Sequence, residues 1–164
     1  MKRLWEKGLL ALVIKSAGVI TLATVASSIS ISAQAAAMTE DLVQNYAAAM
    51  KSAANSKNIN QVANLVSEDA LISLSRKGKS ASLDKEGYLK LLQMGWNQTS
   101  NYRYDITVGN VVTSGSQAKA NVTTTESWSK GGTNVSFVTS SRVTLTLSTG
   151  NAVLLRAVSQ VTID

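Results

Sequence analysis

From Asn101 onward the chain is written in period two, and this constrains its fold more than any other feature. Tyr102, Tyr104, Ile106 and Val108 alternate with polar or charged residues. Ala118, Ala120, Val122, Thr124, Glu126 and Trp128 then share one parity. Val135, Phe137, Thr139, Ser141, Val143, Leu145 and Leu147 do the same, followed by Val153, Leu155, Ala157, Ser159, Val161 and Ile163. Successive side chains of a strand point to opposite faces, so each run describes a strand with one apolar face. Ser114-Gly115-Ser116, Lys130-Gly131-Gly132 and Thr149-Gly150-Asn151 separate the runs. Connections this short join only antiparallel neighbours, which predicts a four-stranded meander. Strands of about 12 residues are long and must twist strongly, so the sheet is expected to curl.

The preceding segment has helical period instead. Thr39 reads as an N-cap, with Glu40 and Asp41 in the first turn where the helix dipole favours acids. Leu42, Val43, Tyr46, Ala49, Met50 and Ala53 follow at helical spacing and predict a helix over 40–54. Asn55 to Asn58 breaks it, and Ile59, Val62, Ala63, Leu65 and Val66 give a second, short helix. Ser67-Glu68-Asp69 reads as a turn, and residues 70–75 alternate like a strand. Asp84 opens a third helix whose apolar face holds Tyr88, Leu91, Leu92 and Trp96, with Gly95 as a place for another element to approach closely. The fold class is therefore α+β, with N-terminal helices packed on a strongly curved antiparallel sheet.

Residues 1–35 read as an export segment. Lys2, Arg3 and Lys7 form a basic start, apolar and small residues follow, and Ala33-Gln34-Ala35 fits a signal-peptidase site. The cut is expected near Ala35, leaving one domain over 36–164 outside the cytoplasm, in the periplasm or beyond. Lys15 divides the apolar stretch into pieces short for a membrane span, so contact with a membrane is expected only through this signal. The segment also explains much of the net charge of +6. Of 16 basic and 10 acidic residues, four bases and one acid lie in the first 15, leaving 12 against 9. The remaining charges are scattered, unlike the dense basic stripe of a nucleic-acid binder. Their one cluster, Arg76-Lys77-Gly78-Lys79, reads as a solvated turn between strands.

The chain has no cysteine and no histidine. That removes disulfides, thiol nucleophiles, Ser-His-Asp triads and most zinc or copper sites. No metal and no cofactor are expected.

Three helices with a short strand among them, then four long antiparallel strands, resemble the nuclear transport factor 2-like superfamily, which includes polyketide-cyclase-like and ketosteroid-isomerase-like domains. Asp41-Leu42-Val43-Gln44-Asn45-Tyr46-Ala47-Ala48-Ala49-Met50 looks like its first helix. Val62-Ala63-Asn64-Leu65-Val66-Ser67-Glu68-Asp69-Ala70 looks like the helix and turn that follow. The resemblance implies a cone-shaped α+β barrel with a pocket at its open end, and homodimers paired through the outer sheet face. An isomerase of this fold needs a carboxylate base and a polarising acid. A dehydratase typically uses a His-Asp pair, which this chain cannot supply.

Glu126 is the candidate carboxylate, because it shares a strand face with Val122 and Trp128. A carboxylate beside Trp in an apolar cavity has a raised pKa, which suits a general base. Arg142 and Arg156, on neighbouring strands, are expected to pair with it, and Tyr102 or Tyr104 to donate to an oxyanion. With Tyr88, Trp96 and Trp128 these residues form the expected ligand-binding set. Asp105 has the opposite parity from the two tyrosines and is expected in solvent. Three functions fit: an exported module binding a small apolar ligand or a protein, a metal-independent isomerase or lyase using Glu126, or an assembly subunit acting through its sheet face.

Overall fold

The computed structural model describes residues 36–163. The export segment and its cut near Ala35 lie outside the described residues. Among the described residues no helix is long and apolar enough to cross a membrane.

Helix α1 (Glu40–Asn55) starts where the Thr39 hydroxyl accepts from the Leu42 N–H at 3.3 Å. Its acids Glu40 and Asp41 sit in the first turn, as the dipole requires. Helix α2 (Ile59–Asn64) is capped by Asn58, and α3 (Lys85–Asn97) by Asp84, whose carboxylate accepts from the Gly87 N–H at 2.8 Å. Lys57 joins the first two helices to the third. Its ammonium donates to the carbonyls of Trp96 and Thr99, at 3.0 and 2.9 Å, where α3 ends and carbonyls lack helical partners.

The strands are β1 (Val66–Arg76), β2 (Lys79–Leu83), β3 (Ser100–Ser114), β4 (Gln117–Lys130), β5 (Thr133–Ser148) and β6 (Asn151–Ile163). They form one six-stranded sheet in the order β2-β1-β6-β5-β4-β3. The expected meander of the last four strands is present, in antiparallel register throughout. Three expectations are corrected. The sheet is curved but unclosed, with β2 and β3 as its edges, so it is not a barrel. It is also mixed, because β1 lies parallel to β6. Ser67-Glu68-Asp69 belongs to β1 as a register shift between Val66 and Leu71, and β2 is an additional short strand.

Bulges set the curvature and the phase of the inner face. An extra residue in β3 between Gly109 and Val112, with Asn110 at φ +52°, turns Val111 toward the core after Val108. In β6 a shift places Leu154 opposite Leu145. Ala152 and Leu154 therefore join the core on the inner face, in place of the expected Val153 and Leu155. Strict alternation across that stretch fails because the bulged residue consumes one step of the pleat.

The core fills one end of the concave face. Val43, Tyr46, Met50 and Ala53 of α1 pack in one buried cluster with Val62, Ala118, Ala120, Leu145, Ala152 and Leu154. Asn55, at the end of α1, treats the edge strand as a sheet neighbour would. Its side chain accepts from the Tyr104 N–H at 2.9 Å and donates to the Tyr104 carbonyl at 2.8 Å. An otherwise open edge is thereby closed at that rung.

The hairpin turns Lys77-Gly78, Gly131-Gly132 and Thr149-Gly150 have positive φ at both positions, as type I′ turns need. Thr149, at φ +48°, is β-branched and unsuited to that region. Thr149→Asn keeps the turn and removes the strain. Thermal unfolding should show it more stable by about 1 kcal/mol, and an unchanged or lower Tm would contradict the assignment.

Candidate functional site

The inner face of β4 runs from small to large. Ala118, Ala120 and Val122 are buried in the core cluster that α1 shares, whereas Thr124, Glu126 and Trp128 are half-buried and line open space. The facing residues of β5 and β6 there, Thr139, Ser141, Ala157 and Ser159, are small. Small side chains on a curled sheet leave space that the three helices do not fill. The result is a cavity of about 610 Å³, walled by the sheet, α1, α3 and the β1–β2 hairpin.

Tyr46, Tyr88, Trp96, Tyr102, Tyr104, Trp128 and Phe137 all line it. These are all the aromatic residues of the chain beyond Trp5. They enter from five elements: Tyr46 from α1, Tyr88 and Trp96 from α3, Tyr102 and Tyr104 from β3, Trp128 from β4, and Phe137 from β5. Trp96 meets Tyr102 edge-on at 6.0 Å, and Trp128 meets Phe137 edge-on at 4.7 Å. Both distances lie in the favourable range for aromatic pairs.

Glu126 is the one acid in this lining. Its Oε2 accepts a 2.7 Å hydrogen bond from the Tyr102 hydroxyl. Burial pushes its pKa above the usual glutamate value, and the Tyr102 hydrogen bond opposes that shift in part. Burial also raises all four phenols, and the Glu126 charge adds to this at Tyr88, Tyr102 and Tyr104. The neighbouring Trp96 indole acts in the opposite sense on Tyr102. The phenols thus stay neutral hydrogen-bond donors through physiological pH. The Trp96 Nε1 is buried and makes no well-formed hydrogen bond, its one polar influence being this effect on the Tyr102 hydroxyl. The site is an aromatic pocket with one carboxyl group and several donors. Among the described residues no group of three or more acids is placed to hold a metal ion.

Six of the eight expected site residues, Tyr88, Trp96, Tyr102, Tyr104, Glu126 and Trp128, meet in this cavity. Arg142 and Arg156 do not. Arg142 is exposed on the outer sheet face, between Asn121 and Val158. Arg156 is also exposed, and its Nη1 donates to the carbonyls of Asp69 and Leu155 at 2.6 and 2.8 Å. It fastens the irregular start of β1 instead of pairing with Glu126. Each arginine has the opposite parity from an inner-face residue beside it, Val143 or Ala157. Asp105 is in solvent as expected and pairs with Lys51 of α1, which holds its pKa below the usual aspartate value through a hydrogen bond and charge. Gly95 is corrected as well: nothing approaches it, and a Cβ there would stand in open space at the cavity wall.

No protein-family model matches the sequence, and no curated protein matches it. Solved structures do. A conserved protein from Planctomyces limnophilus aligns with a TM-score of 0.67 at 14% identity, over 76% of this chain and 97% of its own. A nuclear transport factor 2-like protein of unknown function from Silicibacter pomeroyi aligns with a TM-score of 0.53 at 11% identity, over 77% and 100%. A ketosteroid isomerase-like protein from Erwinia carotovora atroseptica aligns with a TM-score of 0.58 at 18% identity, over 76% and 98%. The chain has the nuclear transport factor 2-like fold. At these identities the likeness is one of fold, and a fold alone assigns no chemistry.

Within this nuclear transport factor 2-like cone, four positions of the cavity lining escape a reading from the sequence. Tyr46 follows the core face of α1, and only the depth of the cone decides that its ring also reaches the cavity. Phe137 has the parity of Thr139 and Ser141, which was a usable signal. Arg76 and Lys79 line the cavity mouth although their cluster reads as a solvated turn.

The buried carboxyl of Glu126 carries a stability consequence. Its folded pKa is raised, so the native state holds the proton more tightly than the unfolded chain does. Its effect is fully favourable below the unfolded value and is lost as pH rises through the folded one. Glu126→Gln keeps an acceptor for Tyr102 without the charge. It should raise Tm relative to wild type near pH 8 and give little difference near pH 4; equal shifts at both would contradict this environment for Glu126.

Proposed function

We infer that this domain is an exported binding module for a small, largely apolar molecule, held in the aromatic cavity with a polar group against Glu126 and the phenols. The observation that carries this is the convergence of seven aromatic side chains and one carboxyl on about 610 Å³ of unfilled space. Ligand pockets run from about 300 to 1,000 Å³ and are lined mostly by apolar and aromatic groups, with a few placed polar ones. A chain needing only a core would gain by filling this space, because each unfilled methyl-sized void costs about 1 kcal/mol. The unpartnered Trp96 N–H adds support, since a ligand acceptor would satisfy it. Export rests on the basic, apolar and small-residue order of residues 1–35.

A second reading, proton transfer by Glu126, is favoured by one specific observation. A buried carboxyl with a raised pKa sits among neutral phenol donors, so a base and polarising groups share one cavity. Both readings need the cavity, whereas assembly through the outer sheet face does not.

The uncharged fluorophore N-phenyl-1-naphthylamine serves as a probe. It should bind with stoichiometry near one and brighten on transfer to the cavity. Thr124→Trp, which fills the cavity from β4, should abolish binding, while Thr123→Trp on the opposite face of the same strand should leave it intact. Equal binding by both variants would overturn the reading.

A further inference from the structure

We propose that the cavity selects an amphipathic anion, with its acidic head at the rim between Arg76 and Lys79 and its apolar body inside. This rests on the cavity being a ligand site and adds the charge class of the ligand.

Arg76 ends β1, Lys79 begins β2, and the two are direct cross-strand partners across the Lys77-Gly78 turn. Cross-strand partners share a sheet face, and both side chains border the cavity mouth. Like charges directly opposite each other destabilise a hairpin. A turn that served only to be solvated would not need them there. Neither rim cation has a carboxylate partner among the described residues, where the ion pairs are Lys51 with Asp105 and Lys85 with Glu68. An anion placed between them removes the repulsion and supplies that partner.

The rim is also organised. The Arg76 guanidinium stands 4.7 Å from the centre of the Phe137 ring, and Phe137 packs on Trp128 farther along the wall. Stacking holds the planar fork at the edge of an apolar surface, where its donors can face an oxyanion. The charges of the lining have an order: two cations at the mouth, and one carboxyl inside, hydrogen-bonded to Tyr102. That order sets the orientation of a bound anion. Its head is attracted to the rim and repelled from the interior, so the apolar body enters first. A carboxylate, sulfonate or phosphate monoester on an alkyl or aryl body fits this pattern.

The test is displacement of N-phenyl-1-naphthylamine from the full chain by decanoate, 1-decanol and decylammonium, which differ only in the head group. Decanoate should displace the probe at roughly tenfold lower concentration than 1-decanol, as expected for a charge-assisted contact. The advantage should shrink in high salt. Arg76→Gln/Lys79→Gln should remove it, so that decanoate and 1-decanol displace the probe at the same concentration whatever the variant's own probe affinity. Lys79→Glu, which makes the rung an opposite-charge pair, should remove it too. Equal displacement by decanoate and 1-decanol, better displacement by decylammonium, or an advantage that survives in the double variant would each overturn the proposal and leave the cavity reading standing. Failure of the probe to bind wild type would overturn both.

Discussion

The packing of one helix into one end of a curled sheet governs the rest of this molecule. Helix α1 can approach the sheet where the inner residues of β4 are Ala118 and Ala120, and the contact is sealed by Met50, Val43 and Leu145. Asn55 then locks the helix end to the β3 edge at Tyr104. Past that point the strands continue but α1 does not. The concave face between α1, α3 and the β1–β2 hairpin is walled but not filled, and a cavity is the consequence. Burial of apolar area fixes the closed end, and the length of the strands makes the open one.

Polar chemistry is tolerated inside because it is sparse and partly satisfied. Glu126 has Tyr102 as a donor, and its pKa moves upward instead of a full charge being buried without help. The Trp96 N–H, buried without a well-formed hydrogen bond, leaves one donor available to a polar group in the cavity. The rim has the opposite sign from the interior. A ligand held as proposed would be discriminated by charge at the mouth and by shape and hydrogen bonding within.

Much of this was legible in the sequence, for a physical reason. Period-two runs separated by glycine turns leave few alternatives, so the meander and the shared face of Glu126 and Trp128 follow from alternation alone, whereas which of the two faces is the inner one does not. What was not legible depended on events that alternation does not encode. The bulge in β6 moved Leu154 inward in place of Leu155. The parallel pairing of β1 with β6 joins residues far apart in sequence, and no local pattern announces it. Arg142 and Arg156 have the outer-face parity, opposite to Val143 and Ala157, so alternation itself argues against pairing either with Glu126. The cluster at Arg76 to Lys79 reads as solvent-facing by composition, and only the curl of the sheet carries it to the cavity mouth.

The claim that the cavity is where this protein binds its ligand is tested most directly by assigned amide and indole nuclear magnetic resonance spectra, with and without saturating N-phenyl-1-naphthylamine. The account predicts that the indole N–H signals of Trp96 and Trp128 move, together with the amides of Tyr102, Thr124 and Glu126, while Arg142 and Val158 on the outer face stay still. Shifts confined to the outer face, with both indole signals unmoved, would contradict it.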